Sequence, residues 1–336
     1  MSNHPSSPGL WALAWRRMRG DRVAMAALAV VALFLAMLAL SSAGLIAADW
    51  EQEAGVNYAP PSFIGAQESF LAGAAGLDAG PPPPNEFDPL TEDIAQLRAQ
   101  AGAALAPEPR RATLPFGADK WGHDVIKKTI KGGETSIVVG LVAAFLAVTL
   151  GTVFGALSGY FGGVVDDVFN WFYSIFTSIP SILMILTVAA VLQQRGVMTI
   201  VLILGLTGWT GPYRLMRAEY IKHKAREYVM AADAIGASHM RKMFSHIFPN
   251  VSHVALVQMS ILVVGFIKAE VILSFLGFGV PVGVVSWGSM LNEAQNELIL
   301  GKWWQLTAAA TAMALLVTAF SLFTDALRDA LDPKLK

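Results

Sequence analysis

The 336-residue chain contains no cysteine, so neither a disulfide brace nor a thiolate metal site is open to it. It is also short of charge. Asp, Glu, Lys and Arg make up 15% of its residues, where soluble domains carry about 25%. No G-x-x-x-x-G-K-[ST] stretch occurs, and Gly301-Lys302 runs into Trp303 with no phosphate-cradling loop before it. The chain is therefore not expected to hydrolyse ATP. Its six histidines, His4, His123, His223, His239, His246 and His253, show no metal-ligand spacing. No nucleophile–base arrangement stands out, and the basic region is too small for nucleic-acid work. The net charge of −1 favours no class of partner.

What is present in excess is apolar residue, at 54%. A lipid-spanning helix needs about 20 mostly apolar residues, because hydrocarbon offers nothing to pair with an open backbone group. Val23–Ala48, Thr135–Val165, Val168–Gln194, Gly196–Tyr213 and Trp303–Thr324 carry no Asp, Glu, Lys or Arg. Val251–Ile267 is equally clean and continues through Lys268 and Glu270 to Gly279. The expectation is an all-α membrane protein with six transmembrane helices. The first run is too long for a signal-peptide core of about 7–15 residues and reads as an uncleaved span. Basic residues orient the chain. Arg16, Arg17, Arg19 and Arg22, seven Lys/Arg between the fourth and fifth runs, then Arg328, Lys334 and Lys336 fall on one side. Arg195 and Lys302 fall on the other, and Asp166 and Asp167 are mildly contrary. Both termini are expected to be cytoplasmic.

The expected organisation is a basic N-terminus (1–22), a first transmembrane helix (23–48) and a long external segment with an interfacial helix (49–133). A five-helix core (134–324) follows, containing a cytoplasmic loop (214–250), and then a cytoplasmic C-terminus (325–336). The proline run within 79–89 cannot be regular helix or central strand. Thr91 can cap a helix running through Leu105, or that stretch is a loosely ordered linker. Asp124–Lys131 reads as an interfacial helix with its lysines toward water, and Gly132-Gly133 as a flexible entry to the second span. Gly151, Gly155 and Gly159, four apart, suit close helix approach in lipid. Pro180 and Pro212 should kink or interrupt spans three and four, and the Gly-Phe-Gly-Val-Pro run at 277–281 should break the helix leaving span five. Lys268 and Glu270 near the end of span five either snorkel to the interface or face the bundle interior, where they can touch a substrate.

The most informative stretch is soluble in character yet lies between two spans: "REYVMAADAIGASHMRKMFSHIFPN", residues 226–250. Tyr228, Ala231, Ala232 and Ile235 recur at helical spacing, as do Met240, Met243, Phe244 and Ile247. Gly236 can take the left-handed conformation that closes the first helix, and Pro249 is expected to stop the second. Between Arg214 and His246 there are seven Lys/Arg against three Asp/Glu. The result is a basic helix pair shaped to enter a protein groove.

Met230-Ala231-Ala232-Asp233-Ala234-Ile235-Gly236, nine residues, then His246-Ile247-Phe248-Pro249 resembles the coupling loop of permease subunits of ATP-binding-cassette importers. That pattern is Glu-Ala-Ala-x-x-x-Gly, nine residues, then Ile-x-Leu-Pro. Met230 stands in place of the glutamate and Phe248 in place of the leucine. "FGADKWGHDV" at 116–125 keeps Gly117, Asp119, Gly122 and Asp124 of a second stretch, with Ala118 and His123 departing from it. With "LSFLGFGVPVGVVSWGSML" at 273–291 and "TDALRDALDP" at 324–333, these resemble the dipeptide/oligopeptide (and nickel) permease family, C-type subunit, over all but residues 49–112.

The resemblance implies a type I importer permease fold with a cytoplasmic coupling helix, in the bacterial inner membrane. It implies a homologous second permease, two ATPase subunits that bind ATP and magnesium, and an external substrate-binding protein; this chain itself is expected to bind no cofactor or metal. The residues it assigns to ATPase coupling are Tyr228, Met230, Ala231, Ala232, Asp233, Gly236, His246 and Pro249. For Asp119 and Asp124, helix capping is the expected role. Peptide is the expected cargo, with a nickel chelate or saccharide as alternatives. An ion-gradient-driven transporter would need paired intramembrane charges and often inverted repeats, of which only Lys268 and Glu270 are candidates. A membrane anchor for a soluble partner is the other alternative.

Overall fold

The computed structural model describes residues 10–65, 93, 110–192, 194, 196–281 and 283–331. The start of the basic N-terminus, the proline run, the Thr91–Leu105 helix, Arg195 and the last five residues lie outside the described residues. Among those described there are helices and turns but no β-sheet. The chain divides into two units, one of residues 1–48, 129–293 and 309–336, the other of 49–128 and 294–308.

In the first unit, α1 (Leu10–Gly20) ends at Asp21, whose carboxylate caps α2 (Arg22–Ser42) by accepting from the Val23 and Ala24 amides at 2.8 and 3.2 Å. Ala14 and Met18 of α1 pack against Leu327, Ala330 and Leu331 at the end of the chain's last helix. The 37-residue α3 (Val125–Phe161) is about 55 Å long, well beyond the roughly 30 Å hydrocarbon core. It corrects the expectation of a separate interfacial helix and a flexible Gly132-Gly133 entry. The helix runs unbroken through both glycines, which are there for space. A Cβ on Gly133 would lie 2.8 Å from the Trp287 ring, and one on Gly132 3.1 Å from the Ser286 backbone.

After Gly162, α4 (Gly163–Ser178) and α5 (Ser181–Leu192) meet at an 87° bend with Pro180 in the break. Next come α6 (Val197–Thr207) and α7 (Thr210–Lys224). Pro212 has no amide to give the Gly208 carbonyl four residues back, and Gly208 is where α6 ends. Pro212 itself sits in the first turn of α7, where amides need no helical partner. The fourth apolar run is thus an 11-residue helix and the start of a more polar one, rather than the single expected span. By length and apolarity, α2, α3, α9 (His239–Phe275) and α11 (Trp304–Leu331) can each cross a bilayer, and the bent α4–α5 pair makes five if it is one span. Among the described residues these are four or five membrane-length helices, and the expected sixth is not confirmed.

Close packing of α3 on α7 is built from three rungs. Cβ atoms on Gly151, Gly155 and Gly159 would lie 2.6, 2.8 and 2.5 Å from the carbonyl oxygens of Trp209, Tyr213 and Arg217. Both series step by four residues, so the two backbones meet along a whole helix face. Where α3 ends, Arg217 forms a two-pronged ion pair with Asp166, both contacts at 2.6 Å, and Ser158 donates to the same carboxylate. Asp166, contrary by the charge rule, is therefore compensated within the fold.

The second unit carries the "FGADKWGHDV" stretch on a small core of Ala59, Leu114 and Ala118. Isolated bridges join Glu53 to His123, Gly55 to Arg111, Pro61 to Leu114 and Ala118 to Asp124. Gly117 (φ +84°) and Gly122 (φ +89°) adopt left-handed turns that only glycine takes without strain. The Trp304 indole donates to the Ala118 carbonyl at 2.6 Å. Asp124 caps α3 as expected, accepting from the Ile126 amide at 2.8 Å.

Asp119 departs from expectation, being no helix cap. One of its oxygens accepts the Trp121 and His123 amides; the other meets the His123 ring at 2.9 Å and the Lys128 ammonium at 2.7 Å. Lys128 is buried here rather than facing water. Burial alone would raise the Asp119 carboxyl, but the His123 hydrogen bond and the Lys128 charge outweigh it and hold it well below the usual carboxylate range. The sign follows. A depressed carboxyl contributes stability fully above its unfolded value of about 3.9 and loses it as pH falls further. Asp119→Ala removes the carboxylate that faces the buried Lys128 ammonium, leaving it Gln305 at 3.3 Å, and is expected to cost about 3 kcal/mol. Limited proteolysis of residues 49–128 should become faster at neutral pH in this variant, and should lack the acid-induced acceleration expected of the parent.

Candidate coupling site

The helix pair at 226–249 is seated on the end of the bundle by a core of Tyr160 from α3, Met216 and Tyr220 from α7, and Val229, Met243 and Ile247 from the loop itself. Helix α8 (Glu227–Ala234) supplies Val229, with Ala232 buried one turn on. Its C-terminus closes through a complete left-handed cap. Gly236 has φ +78°, the Ala237 amide donates to the Ala232 carbonyl at 3.0 Å, and the Gly236 amide donates to the Asp233 carbonyl at 2.9 Å. No atom lies within 4 Å of a Cβ placed on Gly236, so glycine is required there by φ alone.

The second half differs from expectation. The chain does not stop at Pro249. From His239 it runs continuously through a π-helical stretch, Lys242–Ile247, into Phe248–Phe275, and all of this is α9. The π-helical pattern is visible where the Phe248 amide donates to the Met243 carbonyl, five residues back. Pro249 lies in the first turn of the α-helical part, where its missing amide is tolerated. The second helix of the knob and the fifth apolar run are thus one continuous helix.

The apolar stripes read from the sequence split when folded. Met243 and Ile247 go inward, whereas Met240 and Phe244, at the same helical spacing, stay outside. In α8 the buried pair is Val229 and Ala232, while Ile235 is 84% exposed, Met230 56% and Met240 59%. Tyr228 is exposed too, with its hydroxyl 2.8 Å from His223 Nδ1. Asp233 pairs with Lys242, which holds its carboxyl below the usual range. Ala231 and Pro249 are exposed, and His246 is half-buried, its carbonyl accepting from Asn250 at 2.7 Å. The tip therefore presents large apolar side chains around Gly236 on a firmly held base.

Lys268 and Glu270 are not brought together. Lys268 is exposed on the surface of α9. Glu270 is fully buried, accepting from Ser136 of α3 at 2.6 Å and from Ser274 at 2.7 Å. Ser136 Oγ also accepts the Trp287 amide at 3.2 Å, and the Trp287 indole donates to the Thr129 carbonyl at 3.0 Å. Glu270 thereby ties α3, α9 and the start of α10 (Trp287–Ile299). Sequence reasoning missed this tie and the Asp166–Arg217 pair; the lone intramembrane acid and the acid pair at 166–167 were the available signals.

The family described as "binding-protein-dependent transport system inner membrane component" matches residues 151–336, more than half of the chain. The chain belongs to that family. The "N-terminal TM domain of oligopeptide transport permease C" matches residues 9–61. Among its relatives is the dipeptide transport system permease protein DppC of Bacillus subtilis, 36% identical over 221 residues, covering 66% of this chain and 69% of that one. The oligopeptide transport system permease protein OppC of the same organism is 36% identical over 66% of this chain and 72% of its own. DppC of Lactococcus lactis is 29% identical over 327 residues, 96% of this chain and 90% of its own, and so extends across the 49–112 region. As a family member the chain is an integral inner-membrane component of a transport system, and the membrane-length helices fit that placement.

Proposed function

We propose that this chain is the transmembrane permease subunit of an ATP-driven importer of peptides, with both termini in the cytoplasm. The observation that carries the reading is the knob: Met230, Ile235 and Met240 stand exposed on a helix pair whose base is buried and whose helix α9 continues into the membrane. Exposed apolar side chains grouped this way are a docking face, and the unbroken helix α9 carries what happens there toward the bundle. ATP and magnesium belong to two partner ATPases, and this chain contributes no catalytic group. One ATPase grips the tip, and its movement on ATP binding tilts α9 and, through the glycine rungs and the Asp166–Arg217 pair, α3, α4 and α7. Alternating access follows as a shift between two bundle arrangements.

Coupling is assigned to Tyr228, Met230, Ala231, Ala232, Asp233, Gly236, His246 and Pro249. Glu270 is assigned to holding the bundle together rather than to cargo, and exposed Lys268 is kept as the candidate for a substrate contact. Peptide rests on the relatives named for dipeptide and oligopeptide transport. An external binding protein delivers it. The test is peptide uptake by the complex in proteoliposomes with ATP inside. Inactivating the ATPase partners should stop uptake; uptake that persists on an ion gradient alone would overturn the proposal.

A further inference from the structure

Beside the exposed tip, a cavity of about 300 Å³ opens between the end of α3 and the knob. Tyr160 and Phe161 form one wall, and Val229 and Met230 of α8 another. Its polar lining sets Lys224 and Lys242 against the acid Asp233, with the His239 ring beside them. Two of these groups are already engaged. Lys242 pairs with Asp233, and His239 Nδ1 lies 3.0 Å from the Tyr160 hydroxyl. Lys224 is different. Its ammonium is held 5.5 Å from the Tyr160 ring centroid and makes no ion pair among the described residues. A cation placed over an aromatic face is oriented without being neutralised.

We propose that this cavity receives an acidic side chain of the ATP-hydrolysing partner subunit, with Lys224 as its counter-ion. The inference rests on the reading of the knob as the ATPase docking face and gives that face its charge chemistry. The cavity wall includes Met230, an exposed residue of the apolar tip, so the two surfaces adjoin. One carboxylate balances Lys224, which has no ion pair among the described residues, and the apolar wall of Phe161, Val229 and Met230 takes the methylene stem of an aspartate or glutamate. Partial exclusion of water on docking strengthens the pair.

The test uses the assembled complex in nanodiscs and measures the affinity of the ATPase subunits for the membrane part. Lys224→Glu should weaken it about tenfold, and Lys224→Arg should leave it nearly intact. Changing acidic residues of the ATPase surface to lysine one at a time should reveal one that restores binding to Lys224→Glu. The proposal is overturned if Lys224→Glu binds as the parent does, or if no acid-to-lysine change rescues it. It is overturned in favour of a lipid phosphate if the Lys224 effect disappears when anionic lipid is left out of the nanodisc. Failure of the docking reading itself is separately visible, because acidic replacements at Ile235 and Met240 would then leave ATPase affinity unchanged.

Discussion

Replacing Gly155 with valine is expected to abolish accumulation of the folded bundle. Its Cβ position lies 2.8 Å from the Tyr213 carbonyl oxygen, 2.8 Å from the Met216 Cβ and 2.9 Å from the Arg217 amide nitrogen. None of these is the far end of a flexible side chain, so nothing can swing aside and α3 must move off α7. Overpacking in a core costs about 1–3 kcal/mol where neighbours can adjust, and here the neighbours are main chain. Separation would also pull Ser158 and Asp166 away from Tyr213 and Arg217. Gly265→Ala is the control: nothing lies within 4 Å of the new atom, so the folded yield should stay at or above the parent level. Detergent-extracted protein assayed by size exclusion and thermal melting gives the comparison. A normal melting temperature for Gly155→Val would mean that the glycine rungs do not hold the helices together.

The second large effect is confined to the knob. Ile235→Asp combined with Met240→Asp should release the ATPase subunits while leaving the bundle folded. Both side chains are largely exposed in this chain, so their loss costs the isolated fold little. Docked, each buries apolar area worth about 1.5–3 kcal/mol. The pair together therefore predicts at least a hundredfold loss of ATPase affinity, on the order of 3 kcal/mol or more. The melting temperature of the membrane part should be unchanged, and peptide uptake should be lost. Retained affinity in the double variant would assign the exposed residues to some other contact.

Much of this was legible in the sequence because it depends on composition and single-residue stereochemistry. Apolar runs mark membrane segments, Gly236 announces a left-handed cap, and Gly151, Gly155 and Gly159 at four-residue spacing announce close helix contact. What was not legible depended on the partner surface. Gly132-Gly133 reads as a hinge until Trp287 is seen to fill the space beside it. Ile235 and Met240 look like the inner faces of amphipathic helices, yet the core takes Val229, Met243 and Ile247 instead. Pro249 reads as a stop, but it falls where a helix tolerates a missing amide, just after the π-helical stretch. Asp119 looks like a cap because Asp before a helix usually is one, whereas its ion partner Lys128 lies nine residues away on α3. In each case the residue type fixed a capability, and a distant neighbour decided how it was used.

The most direct test of coupling through the knob is affinity purification of the tagged chain from native membranes in a mild detergent, with every co-purifying chain identified and ATP hydrolysis assayed. Two ATPase subunits and a second homologous permease should elute together with ATPase activity. Scrambling residues 230–236 should remove the ATPases and the activity while the second permease stays. If no nucleotide-binding chain accompanies the protein under conditions that preserve other membrane complexes, the knob is not an ATPase coupling and the chain acts in some other way.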